Sequence, residues 1–326
     1  MMGASGRLVP VQGETTAGTG TVQIDELEQH RSALTGYCYR MLGSPFEAED
    51  AAQETLVRAW RAFDRFEGRS SVKSWLFRIA TNVCTDLASG QQRRARPMDL
   101  GPASTATSPV GPPLPEPTWL LPVPDSRLVP DPAEAAVERE SIRLAFVAAL
   151  QHLPPKQRAV LILREVLCWP AQEVADLLDT TVAAVNSALQ RGRATLAQID
   201  PAACDPLDPA DEAQRELLAR YVDAFERYDM DAFVAVLHED ATQSMPPLNM
   251  WLRGREEIRA FMLGPGIHCD GSRLVATAAN GMPAYGQYRT TGPWALHVLE
   301  IVDGRIAAIN TFLDVDRLFP LFGLPL

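Results

Sequence analysis

The chain has 326 residues, 46% hydrophobic and 22% charged, enough for two or three domains with real cores. A formal net charge of -11, from 41 acidic and 30 basic side chains, argues against a nucleic-acid binder, which is expected to be basic. No apolar run is long enough to span a bilayer, and Met1 to Thr21 lacks the apolar stretch of a signal peptide. The five cysteines are scattered without a C-x-x-C, which suggests neither a disulfide framework nor a zinc site. A cytoplasmic protein with no membrane segment, metal or cofactor is expected.

Val22–Arg96 reads as a bundle of three or four helices. Leu34, Tyr37, Cys38, Met41 and Leu42 recur at helical spacing, as do Ala52, Leu56, Ala59, Trp60 and Phe63, then Trp75, Leu76, Ile79, Ala80, Val83 and Leu87. Gly43-Ser44-Pro45 and Gly68 to Ser71 break these runs. The second helix presents Glu47, Glu49, Asp50, Gln53 and Glu54, then Arg58 and Arg61. Acids near the N-terminal end and bases near the C-terminal end also describe an ordinary solvated face. The third mixes aromatics with bases: Phe66, Arg69, Lys73, Trp75, Arg78, Asn82, Arg93, Arg94 and Arg96. That mixture suits single-stranded nucleic acid, although Trp75 also fits the apolar stripe.

Eleven of the 26 prolines fall between Pro97 and Ala136, which predicts an extended or disordered connector. Val137–Ile199 is again helical, and Pro170 to Leu196 has helix-turn-helix form. Val174, Ala175 and Leu178 make one inner face, Asp179-Thr180-Thr181 the turn, and Val185 and Leu189 the other inner face. The outer face of the second helix shows Asn186, Ser187, Gln190, Arg191 and Arg193, side chains able to read base edges and phosphates in a major groove. A plain helical hairpin shows the same pattern. The net charge divides as +1 for residues 1–96, -4 for 97–136, +1 for 137–199 and -9 for 200–326, so the acidity lies in the connector and the last segment.

These two helical segments resemble an extracytoplasmic-function sigma factor of the sigma-70 family. EAEDAAQETLVRAWRAF (47–63) is similar to region 2.2, and RFEGRSSVKSWLFRIATNVCTDLASGQQRRARP (65–97) to regions 2.3 and 2.4. LPPKQRAVLILREVLCWPAQEVADLLDTTVAAVNSALQRGRATL (153–196) is similar to region 4. The resemblance implies core RNA polymerase (clamp and flap) and promoter DNA as partners. It places Glu49, Asp50, Gln53, Glu54 and Arg58 on the polymerase-facing surface. Phe66, Arg69, Ser70, Lys73, Trp75, Arg78, Asn82, Arg93 and Arg94 would open and hold the −10 element. Asn82 would take a flipped base, with the loop Phe66 to Ser71 as its wall. Asn186, Ser187, Gln190, Arg191 and Arg193 would read the −35 element. The connector would thread the RNA exit path, to which an acidic tether is suited.

Ala210–Leu326 follows. Glu212–Arg227 and Gly254–Leu263 read as helices, Asp229 caps a helix through Leu237, and Asp303-Gly304 turns a hairpin between 294–302 and 305–313. Helices followed by an antiparallel sheet indicate an α+β fold. LLARYVDAFERYDMDAFVAVLHEDATQSMPP, WLRGREEIRAFM, NGMPAYGQY and LEIVDGRIAAINTFLD resemble the SnoaL-like polyketide-cyclase family, which implies a cone with a central pocket. His238, His268, Asp270 and His297 are the acid or base candidates, but no motif pairs them. A regulatory domain is therefore expected rather than an enzyme, one that contacts the helical modules or binds a small ligand. Met245, Trp251, His268, Asp270, Asn280, Met282 and His297 are candidate pocket residues. The expected fold is thus multidomain: two all-α modules and a C-terminal α+β cone. Two other readings are a stand-alone helix-turn-helix regulator with a ligand domain and a SnoaL-like enzyme tethered to a DNA-binding module.

Overall fold

The computed structural model describes residues 25–89, 93–128, 141–199, 204–205 and 207–326. Three helices open it: α1 (Arg31–Leu42), α2 (Pro45–Ala62) and α3 (Val72–Ala88). Gly43 ends α1 in the left-handed conformation, φ 74°, and Ser44 caps α2 with Pro45 in its first turn. Ser71 caps α3 by accepting from the Ser74 amide at 3.0 Å. Leu34, Tyr37, Met41, Ala52, Leu76, Phe77 and Ala80 bury the inner faces of all three.

The second module holds α4 (Leu144–Gln151), α5 (Pro155–Leu161), which runs into a π-helical turn at Ile162–Val166, α6 (Ala171–Leu177) and α7 (Val182–Ile199). Helices α6 and α7 form the predicted helix-turn-helix, with Asp179 at φ 50° in the turn. Arg158 on α5 joins the two modules. Its buried guanidinium donates to the carbonyls of Leu150 at 2.9 Å, Gln151 at 3.2 Å and Leu153 at 3.1 Å, and to that of Met41. These carbonyls lie at the C-terminal ends of α4 and α1, where helices leave acceptors without partners and favour a cation. Burial lowers the Arg158 pKa to about 10, so the cation persists at neutral pH.

The C-terminal domain comprises α8 (Glu212–Glu226), α9 (Met230–Ala235), β1 (Leu237–Ser244), β2 (Trp251–Arg253), α10 (Arg255–Leu263), β3 (Arg273–Ala279), β4 (Met282–Arg289), β5 (Gly292–Val302), β6 (Arg305–Phe312) and α11 (Val315–Leu321). The sheet order is β2-β1-β6-β5-β4-β3. It is not wholly antiparallel as expected, because β1 runs parallel to β6. The predicted helix through Leu237 ends at Ala235, and Leu237 begins β1. Register shifts in the β1–β6, β4–β5 and β5–β6 pairs bend the sheet around α8–α10.

The two faces of this sheet have different destinies. Tyr285, His297, Leu299 and Ile309 face inward with Tyr221, Phe225 and Phe261. Met282, Ala284, Leu296 and Val298 face outward and, with Phe319 of α11, join one continuous core with α1–α7.

The proline-rich connector is extended but not disordered over 97–128; residues 129–136 lie outside the described residues. Trp119 is 1% exposed, with Leu120, Leu121 and Val123 buried beside it. The Ala95 amide donates to Thr118 O at 2.8 Å, and Leu120 N to Ala95 O at 3.1 Å. Further along, Ser104 N donates to Trp251 O at 2.7 Å, and Leu114 N to Pro247 O at 2.9 Å. Proline removes donors, yet the remaining amides suffice to strap this segment across both neighbours.

Candidate nucleic-acid interface and C-terminal cavity

The face of α7 expected to read DNA is open. Asn186, Ser187, Gln190, Arg191 and Arg193 are all exposed, while Val185 and Leu189 hold the helix from behind. Arg193 pairs with Glu165 at 2.6 Å.

The first module differs. Phe66 is half-buried and stacks on Trp75 with ring centroids 4.8 Å apart, and Trp75 is itself half-buried against the helical core. Arg69 and Ser70 are exposed, Arg69 paired with Glu67, and Lys73 is half-buried. Asn82 is exposed on α3. Arg78 is engaged, donating to the carbonyls of Leu177, at 3.2 Å, and Asp176 on α6. Beside it Ser74 donates to Glu173 at 2.5 Å, and Phe77 meets Trp169 with centroids 5.0 Å apart. The second module therefore sits on part of the face expected to meet the −10 element. Arg93 is exposed, with the His152 ring 2.7 Å away.

Arg94 is not a nucleic-acid ligand in this arrangement. It is 4% exposed, pairs with Glu47 at 2.9 Å and Glu116 at 3.2 Å, and donates to Trp119 O at 2.6 Å. Glu116 also pairs with Arg317 of α11 at 3.7 Å, so an arginine expected to touch DNA ties the strap to α2.

On α2 the polymerase-facing candidates lie on the surface. Asp50, Gln53, Glu54 and Arg58 are exposed and Glu49 is half-buried. Glu54 pairs with Arg58 and Glu49 with Arg127 of the strap, both at 2.7 Å. Trp60, expected in the apolar stripe, is instead 53% exposed and adds a large apolar surface to this helix.

The cone encloses a cavity of about 160 Å³. Of the seven candidate pocket residues, Met245 and His297 line it. Trp251 instead holds the strap through Nε1 to Gly101 O at 3.0 Å. His268, within the short turn Pro265–Cys269, and Asp270, just after it, are exposed and do not line the cavity. His238, half-buried at the start of β1, accepts from the Asp240 amide at 3.2 Å and also lies outside it. Met282 faces the opposite side of the sheet.

Asn280 is the largest departure from expectation. With Gly281 it forms the β3–β4 turn at φ 57° and 70°, and it is fully buried, outside the cone. Its Oδ1 accepts from Val123 N at 2.9 Å, and its Nδ2 donates to the Tyr39 hydroxyl at 2.7 Å and Ile142 O at 2.6 Å. One amide thus fastens the first module, the strap and the second module to the tip of a hairpin. Gly281 N adds a bond to Asp125 at 2.8 Å. The expected contact of the C-terminal domain with both modules is made here and through α11. The acidic domain does not supply the partners of Ser74 and Arg78, which come from α6.

His297 is 3% exposed, between the Tyr221 hydroxyl on Nδ1 and Gln287 Oε1 on Nε2, each at 3.0 Å. Gln287 Oε1 accepts only, so Nε2 carries the proton and Nδ1 accepts from Tyr221. Burial lowers the imidazole pKa to about 4. Both ring nitrogens are occupied, which leaves no free base lone pair on this ring. Among the described residues no group of three or more His, Cys, Asp or Glu side chains could hold a metal ion. No helix of the described residues is long and apolar enough to cross a membrane.

Residues 27–94 match Sigma-70 region 2, residues 143–196 match Sigma-70 region 4, and residues 218–309 match the SnoaL-like domain. The ECF RNA polymerase sigma factor SigG of Mycobacterium tuberculosis is 45% identical over 306 residues, covering 91% of this chain and 82% of that protein. SigJ of the same organism is 28% identical, covering 91% and 93%. The crystal structure of that extracytoplasmic function sigma factor SigJ superposes with a TM-score of 0.60 over 93% of this chain and 100% of that one, at 23% identity, and so shares the fold. The helical modules, the SnoaL-like cone and these likenesses agree: the chain belongs to the ECF RNA polymerase sigma factors, with a C-terminal SnoaL-like domain.

Proposed function

We propose that this protein binds core RNA polymerase in the cytoplasm, directs initiation at a defined class of promoters, and is held by its own C-terminal domain in a resting arrangement. The observation that carries the reading is the unequal state of the two DNA-facing surfaces. The −35-reading face of α7 is exposed, while Ser74 and Arg78 on the −10-reading helix are bonded to α6. Promoter opening then requires α6 to leave α3. The Asn280 turn and the strap resist that step because they fasten both modules to the cone.

Polymerase engages the Glu49 to Arg58 face of α2 through its clamp and the second module through its flap. On opening, the strap gives up its ion pairs with Arg94 and Arg317 and passes into the RNA exit path as an acidic tether. The cone acts as a regulatory rather than a catalytic domain. The occupied nitrogens of His297 support this, as does the absence of His268 and Asp270 from the cavity lining, although both flank Cys269, which belongs to it. A stand-alone helix-turn-helix regulator has no use for the first module, which matches region 2.

Transcription in vitro with core polymerase tests the proposal. Truncation after Ile199 would expose the apolar core shared with the cone, so a point change at the contact is cleaner. Full-length protein should support promoter-dependent initiation, and Glu173→Ala should raise initiation several-fold by releasing Ser74. Duplex binding without initiation in either form would overturn the sigma assignment. Equal initiation by both would overturn the resting arrangement.

A further inference from the structure

The cone cavity carries features that packing alone does not explain. Its walls are largely apolar, with Phe225, Met245, Leu248, Phe261 and Met262 among them. Yet Gln243 Oε1, Thr311 Oγ1 and Arg289 Nε also belong to lining residues and are buried without a hydrogen-bond partner. Gln243 is 7% exposed and Thr311 4%. A buried polar atom left unpaired is costly, and three around one cavity call for a common explanation.

Arg289 adds a charge. Its guanidinium lies 3.4 Å from the centroid of the Trp294 ring and donates to the Cys269 thiol at 3.3 Å. Neither partner is an anion. A half-buried arginine held by a ring and a thiol retains a planar fork suited to a carboxylate. The volume, about 160 Å³, matches the ~150 Å³ of an apolar cavity that takes one benzene ring.

We propose that this cavity is a binding site for a hydroxylated single-ring aromatic carboxylate. The carboxylate pairs with Arg289, the ring fills the apolar walls, and the hydroxyl meets Gln243 and Thr311. Met245 and Met262 offer the polarisable surface that aromatic rings favour. His297 keeps its two internal partners and takes no part. The site also reaches outside the cone, because Val110 of the strap lines it, between the points where Ser104 and Leu114 are fastened. An occupant therefore touches the segment that joins the two sigma modules. The inference is independent of the sigma reading, since binding is measured without polymerase or promoter.

Calorimetric titration of the full chain with 3- and 4-hydroxybenzoate tests it, with benzoate and the corresponding hydroxybenzyl alcohols as comparisons. At least one hydroxybenzoate should bind saturably, and its neutral alcohol tenfold or more weakly. Arg289→Gln, checked for fold by circular dichroism, should remove that preference. Gln243→Leu with Thr311→Val should weaken the hydroxybenzoate but not benzoate, with an unchanged or higher Tm because two unpaired groups are gone. No saturable binding at millimolar probe would overturn the site. Equal affinity of the alcohol or of Arg289→Gln would overturn its anionic character. A lower Tm in the double variant would assign Gln243 and Thr311 to structure instead.

Discussion

At the scale of single residues, the buried polar groups divide into fasteners and sensors. Arg158 and Arg94 are fasteners: each neutralises helix-end or carboxylate oxygens between segments far apart in sequence. His297 is pH-sensitive by its placement. In the unfolded chain it binds a proton below about pH 6.5, but in the folded cone only near pH 4. Its contribution is thus complete above about pH 6.5 and is lost as pH falls from there towards 4, a span worth at most roughly 3 kcal/mol. Thermal unfolding between pH 7 and 4.5 should show this decline, and His297→Gln should flatten it. An unchanged slope in the variant would place the acid sensitivity elsewhere.

At the scale of elements, α7 and α3 illustrate what periodicity conveys. The pattern around Val185 and Leu189 assigns the inner face of α7, and Asn186, Ser187, Gln190 and Arg191 then fall outside, as they do in the structure. Removal of Gln190 by Gln190→Ala should cost about 1–3 kcal/mol at one base pair of the −35 element and relax selectivity there. Arg193→Ala should lower affinity across sequences and reduce the salt dependence by about one charge. Fluorescence anisotropy of holoenzyme on promoter variants across a salt series separates the two. For α3 periodicity encodes the helix but not the state of Arg78, because α6 lies about a hundred residues away and no local pattern encodes that contact. The proline density of the strap masks its burial in the same way. Trp119, Leu120, Leu121 and Val123 form an apolar run that signals burial, and proline density outweighed it.

At the scale of the whole molecule, module order and the cone were legible because they rest on contiguous segments with strong patterns. The junction was not. Asn280 belongs to an ordinary Asn-Gly hairpin turn, and only the assembled chain brings Tyr39, Val123 and Ile142 to its side chain. Asn280→Gly keeps the left-handed turn while deleting those bonds, and it leaves the Val123 amide buried without its partner. A loss of about 3 kcal/mol is expected, with faster hydrogen exchange at Val123 and Leu121 and a larger radius of gyration in solution. Unaltered exchange at Val123 would show that the hairpin tip does not hold the modules together.

The position of that turn along the chain also sets an order of events during synthesis. Both helical modules leave the ribosome first, and Asn280 follows Ile199, the end of the second, by 81 residues. At roughly 5–20 residues per second, the interval is on the order of ten seconds. Each new molecule therefore passes through a period in which both promoter-reading modules have been made and the clasp has not. On the proposed resting arrangement, restraint is something a nascent chain acquires late rather than a condition in which it is born.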